Sequence, residues 1–254
     1  MQFYKYQGTG NDFVMIDNRS GEWDELSIET IQKLCDRRFG IGADGLIKIN
    51  AEKNADFEVD YYNSDGSKSF CGNGARCSVA FAHFLNIIEE KTVFTAIDGI
   101  HEAEIKNGIV KLKMGDVKHI DKDGNDFVLN TGSPHYVKYV EMLNNYNVYG
   151  NGNEIRNSET YKKEGINVNF VEKLSDKELF VRTYERGVED ETFSCGTGVT
   201  AAALTFMKKN NQTFVEIKVK GGQLRVYADK NGEGFENIWL EGPAVQVFKG
   251  TVNL

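Results

Sequence analysis

The chain has 254 residues, 40% hydrophobic and 27% charged, which is ordinary globular composition with length for one large domain or two smaller ones. A formal net charge of −8, with no Lys/Arg run longer than two, argues against nucleic acid and anionic membrane as partners. No segment approaches the roughly 20 apolar residues of a membrane span, and Asn11, Asp12, Asp17, Asn18 and Arg19 interrupt the first hydrophobic stretches, so the sequence predicts a cytoplasmic protein.

In chain order, residues 28–37 are amphipathic and predict a helix carrying Cys35. Residues 57–62 predict a strand that ends at the turn Asn63-Ser64-Asp65-Gly66. Ala75, Val79, Ala80, Phe81, Ala82, Phe84 and Leu85 cover most of a helical circumference, which predicts a helix buried nearly all round. Strands follow at 92–97, 100–106 and 109–114, with Asn107-Gly108 as a hairpin turn. The polar stretch 116–125 predicts few strands and places a boundary near Gly115. Beyond it, a strand at 179–184 ends at Glu185-Arg186-Gly187, and Val199, Ala201, Ala202, Ala203, Leu204, Phe206 and Met207 predict a second buried helix. Strands at 213–219, 223–228 and 237–240 complete the series.

The second half repeats the first. Thr9-Gly10-Asn11-Asp12-Phe13-Val14 returns as Thr131-Gly132-Ser133-Pro134-His135-Tyr136-Val137, and Gly42-Ala43-Asp44-Gly45-Leu46-Ile47 as Gly165-Ile166-Asn167-Val168-Asn169-Phe170. Cys71-Gly72-Asn73-Gly74 returns as Cys195-Gly196-Thr197-Gly198, and Asp98-Gly99 as Gly221-Gly222. Four matches in one order, at offsets of 122 to 124, indicate a tandem copy. The expected fold is α+β: two pseudo-symmetric domains, each a curled, mostly antiparallel sheet around a central helix. The expected bounds are 1–115, completed by 243–254, and 116–242.

Four cysteines occur, at 35, 71, 77 and 195, without a Cys-x-x-Cys pair or a histidine at zinc-ligand spacing, so reduced thiols and no metal are expected. Cys71 and Cys195 each precede Gly-x-Gly and a buried helix. A thiol at a helix N-terminus meets unpaired N–H groups and the positive end of the helix dipole, which favour the thiolate. The glycines leave backbone N–H groups open to a substrate carboxylate. Two such thiols suit a racemisation, which removes a proton from one face of a carbon and delivers one to the other. A tandem duplication with its site at the domain interface would supply the pair, and no pyridoxal-type lysine motif is evident. Cys77 and Cys35 read as packing residues.

The chain resembles the diaminopimelate epimerase family from end to end. The pieces that carry the resemblance are Gly8-Thr9-Gly10-Asn11-Asp12-Phe13, Arg38-Phe39-Gly40-Ile41-Gly42-Ala43-Asp44-Gly45, Asn63-Ser64-Asp65-Gly66-Ser67, Cys71-Gly72-Asn73-Gly74-Ala75-Arg76-Cys77, Gly132-Ser133-Pro134-His135, Asn167, Tyr184-Glu185-Arg186-Gly187, Ser194-Cys195-Gly196-Thr197-Gly198 and Gly242-Pro243-Ala244-Val245. The resemblance implies cofactor-independent interconversion of LL- and meso-2,6-diaminopimelate, in lysine and peptidoglycan-precursor synthesis, by a homodimer acting on a small amino acid. It implies that Cys71 and Cys195 are the catalytic pair and that His135 and Glu185 tune the thiols. It also implies substrate contacts from Asn11, Asn63, Gly72, Asn73, Asn167, Glu185, Arg186, Gly196 and Thr197. These residue types suit a zwitterionic end group: Arg186 is a fork for a carboxylate, Glu185 can pair with an ammonium, and asparagines both donate and accept.

The chain departs from the family pattern at Ser133, where members commonly carry an asparagine contact, and at Gly45, where some carry glutamine. The Asn63–Cys71 loop is one residue short and the Glu185–Cys195 loop one residue long. Three other readings compete. A proline-type two-cysteine racemase would carry histidine, where position 73 here is asparagine. A dithiol redox protein would favour Cys-x-x-Cys. A non-catalytic amino-acid-binding protein would have no use for both cysteines.

Overall fold

Alternation sets which face of each strand is buried. In Phe57-Glu58-Val59-Asp60-Tyr61 the first, third and fifth side chains are buried and the others only half so, as one packed sheet face requires. The structure is a computed structural model describing residues 1–254. It divides into two compact units, Met1–Leu112 with Gly242–Leu254, and Lys113–Glu241.

The first unit runs β1 (Gln2–Gly8), β2 (Asn11–Asp17), α1 (Ile28–Cys35), β3 (Gly45–Asn50), β4 (Phe57–Asn63), α2 (Gly72–Phe84), β5 (Lys91–Ala96), β6 (Gly99–Lys106) and β7 (Ile109–Lys113). β1–β2 is antiparallel, β2–β3 parallel, β3–β4 antiparallel and β4–β5 parallel, and β5–β6 and β6–β7 are antiparallel.

The second unit runs β8 (Asp121–Asp123), β9 (Asp126–Asn130), β10 (Pro134–Tyr139), α3 (Val148–Arg156), β11 (Asn167–Lys173), β12 (Glu178–Glu185), β13 (Asp190–Thr192), α4 (Gly196–Asn210), β14 (Phe214–Val219), β15 (Gly222–Asn231) and β16 (Gly234–Pro243). Its pairings reproduce the first set: β9–β10 antiparallel, β10–β11 parallel, β11–β12 antiparallel, β12–β14 parallel, then β14–β15 and β15–β16 antiparallel. The last strand, β17 (Val245–Thr251), pairs antiparallel with β1.

In each unit the mostly antiparallel sheet curls round one helix. α2 is buried from Asn73 through Ala82 and packs on β1, β2, β3, β4, β6 and the last strand, β17. α4 is buried from Gly198 through Met207 and packs on β9, β10, β11, β12, β14 and β15. Phe81 of α2 is fully buried and meets the rings of Tyr4 and Tyr6 at centroid distances of 4.9 and 5.6 Å. Truncating it to alanine would cost about 3–5 kcal/mol, transfer and cavity together.

The structure differs from the sequence reading in four places. The first helix stops at Cys35 instead of 37, because Asp36 turns to extended backbone and its side chain accepts from the N–H groups of Arg38 and Phe39. The polar stretch 116–125 does hold a short strand, β8, whose residues are all exposed and pair with β9. β15 and β16 extend well past their apolar cores, because the hairpin pairs polar residues such as Asp229 with Glu236. The glycine-rich α3 was not foreseen. Its Gly152 lies so close to Tyr184 that a Cβ would fall 2.4 Å from that residue's Cβ, so the position that weakens the helix on propensity is required by packing.

Candidate active site

Cys71 takes the N-cap position of α2 with extended backbone (φ −131°, ψ 116°), and its Sγ accepts from the Gly74 N–H at 3.5 Å. Gly74 has no room to spare: a Cβ there would meet Ile47 Cδ1 at 3.1 Å. The half-buried thiol donates to Asn11 Oδ1 at 3.5 Å, and Asn73 Nδ2 donates to the same oxygen at 3.4 Å. Asn11 presents that oxygen because its amide nitrogen donates to Asp44. Asp44 is itself held by Arg37 at 2.7 Å, and Arg37 also grips Asp12 at 2.7 Å. Lys5 closes the cluster, buried against Asp12 at 2.6 Å and donating to the Gly42 carbonyl. Burial opposes ionisation of Asp12, but hydrogen bonds and charge from Arg37 and Lys5 outweigh it and hold its carboxyl down at about 2.

The structure therefore brings Asn11, Cys71 and Asn73 together. Asn63 hydrogen-bonds within its own loop. Its amide nitrogen donates to Ser67 O, Ser67 Oγ and Ser69 Oγ at 3.0–3.2 Å, and its oxygen accepts from the Tyr61 hydroxyl at 2.9 Å. It organises the loop that leads into Cys71. Gly45 is explained by the same neighbour, since a Cβ there would lie 2.4 Å from the Tyr61 ring and from the Tyr62 carbonyl.

Cys195 takes the same N-cap position on α4 (φ −116°, ψ 110°) but is only 6% exposed. Its Sγ lies 3.5 Å from Thr197 Oγ1. Burial pushes this thiol well above its ordinary value, and the charge of Glu185 and a hydrogen bond with it push the same way. Gly196, the first residue of α4, is buried, and the Thr197 carbonyl accepts from Thr131 Oγ1 at 2.9 Å.

Asn167 ties the second unit's polar residues together. Its Nδ2 donates to Ser133 Oγ at 2.8 Å and to the Pro134 carbonyl at 3.0 Å, and its Oδ1 accepts the Arg186 N–H at 2.9 Å. The exposed Arg186 guanidinium reaches the Glu164 carbonyl at 3.1 Å and Ser133 Oγ at 3.4 Å. Ser133 thus keeps a polar place beside Asn167 and Arg186 with a shorter side chain than the asparagine it replaces. The turn after Glu185 is no loose surface loop. Glu189 accepts from the Gly187 N–H at 3.1 Å, pairs with Arg156 at 3.2 Å and accepts from the Tyr184 hydroxyl.

His135 is fully buried, and burial, aided by the charge of Arg186, lowers its imidazole to about 3. It is therefore neutral, with Nδ1 accepting from Asn169 Nδ2 at 3.0 Å, which puts its proton on Nε2. Asn169 also donates to the Tyr136 carbonyl and accepts from Thr183 Oγ1 at 2.9 Å. Sequence reasoning missed Asn169 and Arg76. For Asn169 the signal was present: it lies two residues after Asn167 on one strand, and so on the same face. Cys77 and Cys35 are buried, and Cys35 sits among Phe3, Val14 and Leu34.

The profile of the family described as diaminopimelate epimerase matches residues 3–120 and 127–247. The chain is 51% identical to the diaminopimelate epimerase of Flavobacterium psychrophilum over 256 residues, covering 99% of this chain and 100% of that one.

The chain belongs to the diaminopimelate epimerase family.

As a member it is an epimerase, an enzyme of the isomerase class. Among solved structures this epimerase has the fold of the Bacillus anthracis phenazine biosynthesis protein of the PhzF family, with a TM-score of 0.75 at 14% identity, covering 100% of this chain and 99% of that one. The probable proline racemase of Agrobacterium radiobacter shares the fold as well, with a TM-score of 0.66 at 13% identity, covering 100% of this chain and 93% of that one.

Proposed function

We propose that the chain interconverts LL- and meso-2,6-diaminopimelate without a cofactor, with Cys71 and Cys195 as its two acid–base groups. The observation that carries this reading is the recurrence of one device. In two units with the same series of strand pairings, a cysteine occupies the N-cap position of the buried central helix. In one direction a thiolate takes the α-proton and becomes a thiol, the electron pair stays on the α-carbon, and the other thiol delivers its proton to the opposite face. The product leaves with one inverted centre and the two sulfurs have exchanged states. The reaction requires both sulfurs within hydrogen-bond reach of that carbon. Backbone N–H groups at Gly72-Asn73 and Gly196-Thr197 would stabilise the charge that develops on the α-carboxylate.

Arg186 and Glu185 suit the carboxylate and ammonium of the remote end, Asn63 and Asn167 are read as further contacts to it, and Asn11 and Asn73 suit the end near Cys71. His135 is read as a neutral tuner of the thiol chemistry. We further infer a cytoplasmic homodimer serving lysine and peptidoglycan-precursor synthesis. No helix is long and apolar enough to cross a membrane. A substrate panel tests the specificity. Purified protein should epimerise LL-diaminopimelate and leave lysine, proline and histidine unracemised, read by chiral chromatography. Comparable turnover of proline or histidine would overturn the substrate assignment.

A further inference from the structure

The two cysteines share a backbone position but not a charge environment, and the difference is a residue that no hydrogen-bonding need explains. Arg76 lies on α2 beyond Cys71 and is fully buried. One guanidinium nitrogen, Nη2, donates to Asn73 Oδ1 at 3.0 Å and Thr9 Oγ1 at 3.2 Å, while Nε and Nη1 have no hydrogen-bond partner. The β1–β2 turn closes over it, since a Cβ on Gly8 would sit 3.5 Å from Nη2 and 3.4 Å from Cys77 Sγ. Arginine stays protonated, so this is a buried cation without a carboxylate partner, an arrangement that is costly unless an anion compensates it. The acidic groups that act on it are the thiols of Cys77 and Cys71.

We propose that Arg76 is a positioning residue that keeps the negative charge of the cysteine pair on Cys71, making Cys71 the thiolate and Cys195 the thiol in the resting protein. This deepens the two-cysteine reading above and rests on it.

Of the two thiols near Arg76, Cys77 is fully buried, and burial pushes it far up, so it stays a thiol. Cys71 is half-buried at a helix N-terminus with the Gly74 N–H aimed at its sulfur, which leaves it as the group that ionises. Several titratable groups on the strands packed against α2 have partners of their own. Lys5 of β1 pairs with Asp12 of β2, Lys48 of β3 with Asp60 of β4, and Glu104 of β6 with Lys91. Tyr61 of β4 donates to Asn63, His101 of β6 meets Asp98 at 2.8 Å, and Tyr6 of β1 is held neutral by burial. In α4 the register of the two cysteines puts Thr200 where α2 has Arg76. Thr200 is neutral, and its hydroxyl donates to the Gly196 carbonyl at 2.9 Å. The charge beside Cys195 is the carboxylate of Glu185, which opposes a thiolate.

The test is the rate of iodoacetamide alkylation at each cysteine against pH, read by peptide mass mapping. The midpoint of that profile reports ionisation, whereas accessibility changes only its height. In the unaltered protein Cys71 should titrate below Cys195. Arg76→Met should raise the Cys71 midpoint by about one unit or more, roughly tenfold less thiolate near neutral pH, and leave Cys195 in place. Arg76→Lys, which keeps the charge, should restore most of the difference. Circular dichroism establishes that each variant is folded. If Arg76→Met fails to fold, the order in the unaltered protein and the Arg76→Lys profile still decide. The proposal is overturned if Cys195 titrates first, or if a folded Arg76→Met keeps the original Cys71 midpoint. The assay needs no turnover, so thiols in the expected order in a protein inactive on diaminopimelate would sink the substrate reading and leave the Arg76 assignment standing.

Discussion

The N-termini of α2 and α4 use one backbone solution in two electrostatic settings. Both place cysteine at the N-cap and glycine three residues later, at Gly74 and Gly198, where a side chain of the strand opposite comes close, tightly at Gly74 and within clash distance of a Cβ at Gly198. Around Cys71 lie a buried cation, an amide network and a half-exposed sulfur; beside Cys195, itself buried, lies a carboxylate. On the proposed mechanism, duplication supplies two acid–base positions, and divergence of the side chains behind them would set which one holds the proton at rest. A two-base enzyme whose free form carries one thiolate and one thiol needs both features.

The largest effect expected is from removing either thiol. Cys71→Ser and Cys195→Ser should each lower epimerisation by orders of magnitude, because a hydroxyl is a far weaker acid than a thiol. One of the two is expected to retain exchange of the α-proton of a single stereoisomer with solvent, which proton NMR in D2O would detect. Full epimerisation by either variant would break the comparison at its root.

Next comes the remote end of the substrate. Arg186→Ala would leave a docked carboxylate without its charge-assisted partner, a loss of about 2–5 kcal/mol, or tens- to thousands-fold in kcat/KM. Steady-state kinetics on diaminopimelate measures it.

A smaller contrast comes from the two helix glycines. The Cβ of Gly198→Ala would fall 2.2 Å from Asn169 Oδ1, in a side chain pinned by His135, Tyr136 and Thr183, and should cost about 1–3 kcal/mol of stability. The Cβ of Gly74→Ala meets the flexible end of Ile47 at 3.1 Å, and alanine's helix propensity offsets part of that strain. Urea denaturation should rank Gly198→Ala as the more damaging change.

The smallest effect is on acid stability. With its folded carboxyl at about 2 against an ordinary 3.8, Asp12 contributes stability that is fully present above about pH 4 and is lost as pH falls towards 2. Asp12→Asn should lower stability at neutral pH and flatten its fall below pH 4, which thermal melts from pH 2 to 7 would show.

Much of this was legible in the sequence because duplication writes its signal twice. The paired Cys-Gly-x-Gly segments and the all-round apolar helices located the two central helices. Periodicity missed α3, whose glycines are dictated by tertiary contact with Tyr184, and it missed the exposed strand β8, which is held by hairpin pairing without an apolar face. At the site, motif matching gathered the asparagines into one list. The structure gives them different partners: Asn11 and Asn73 touch each other by the thiol, while Asn63 ties down a loop. Arg76 was in plain view in Cys-Gly-Asn-Gly-Ala-Arg-Cys, but its meaning depends on burial without a carboxylate partner, and no sequence pattern reports that.

The two-base account is tested most directly by running the reaction from LL-diaminopimelate in D2O and stopping it after a few per cent conversion. The account predicts meso product carrying one deuterium at the inverted α-carbon and remaining LL substrate that is essentially unlabelled, because the proton removed by one sulfur is not the one returned by the other. Return of unlabelled meso product, or early deuterium in the LL substrate at the rate of product formation, would show one group working both faces and would contradict the account.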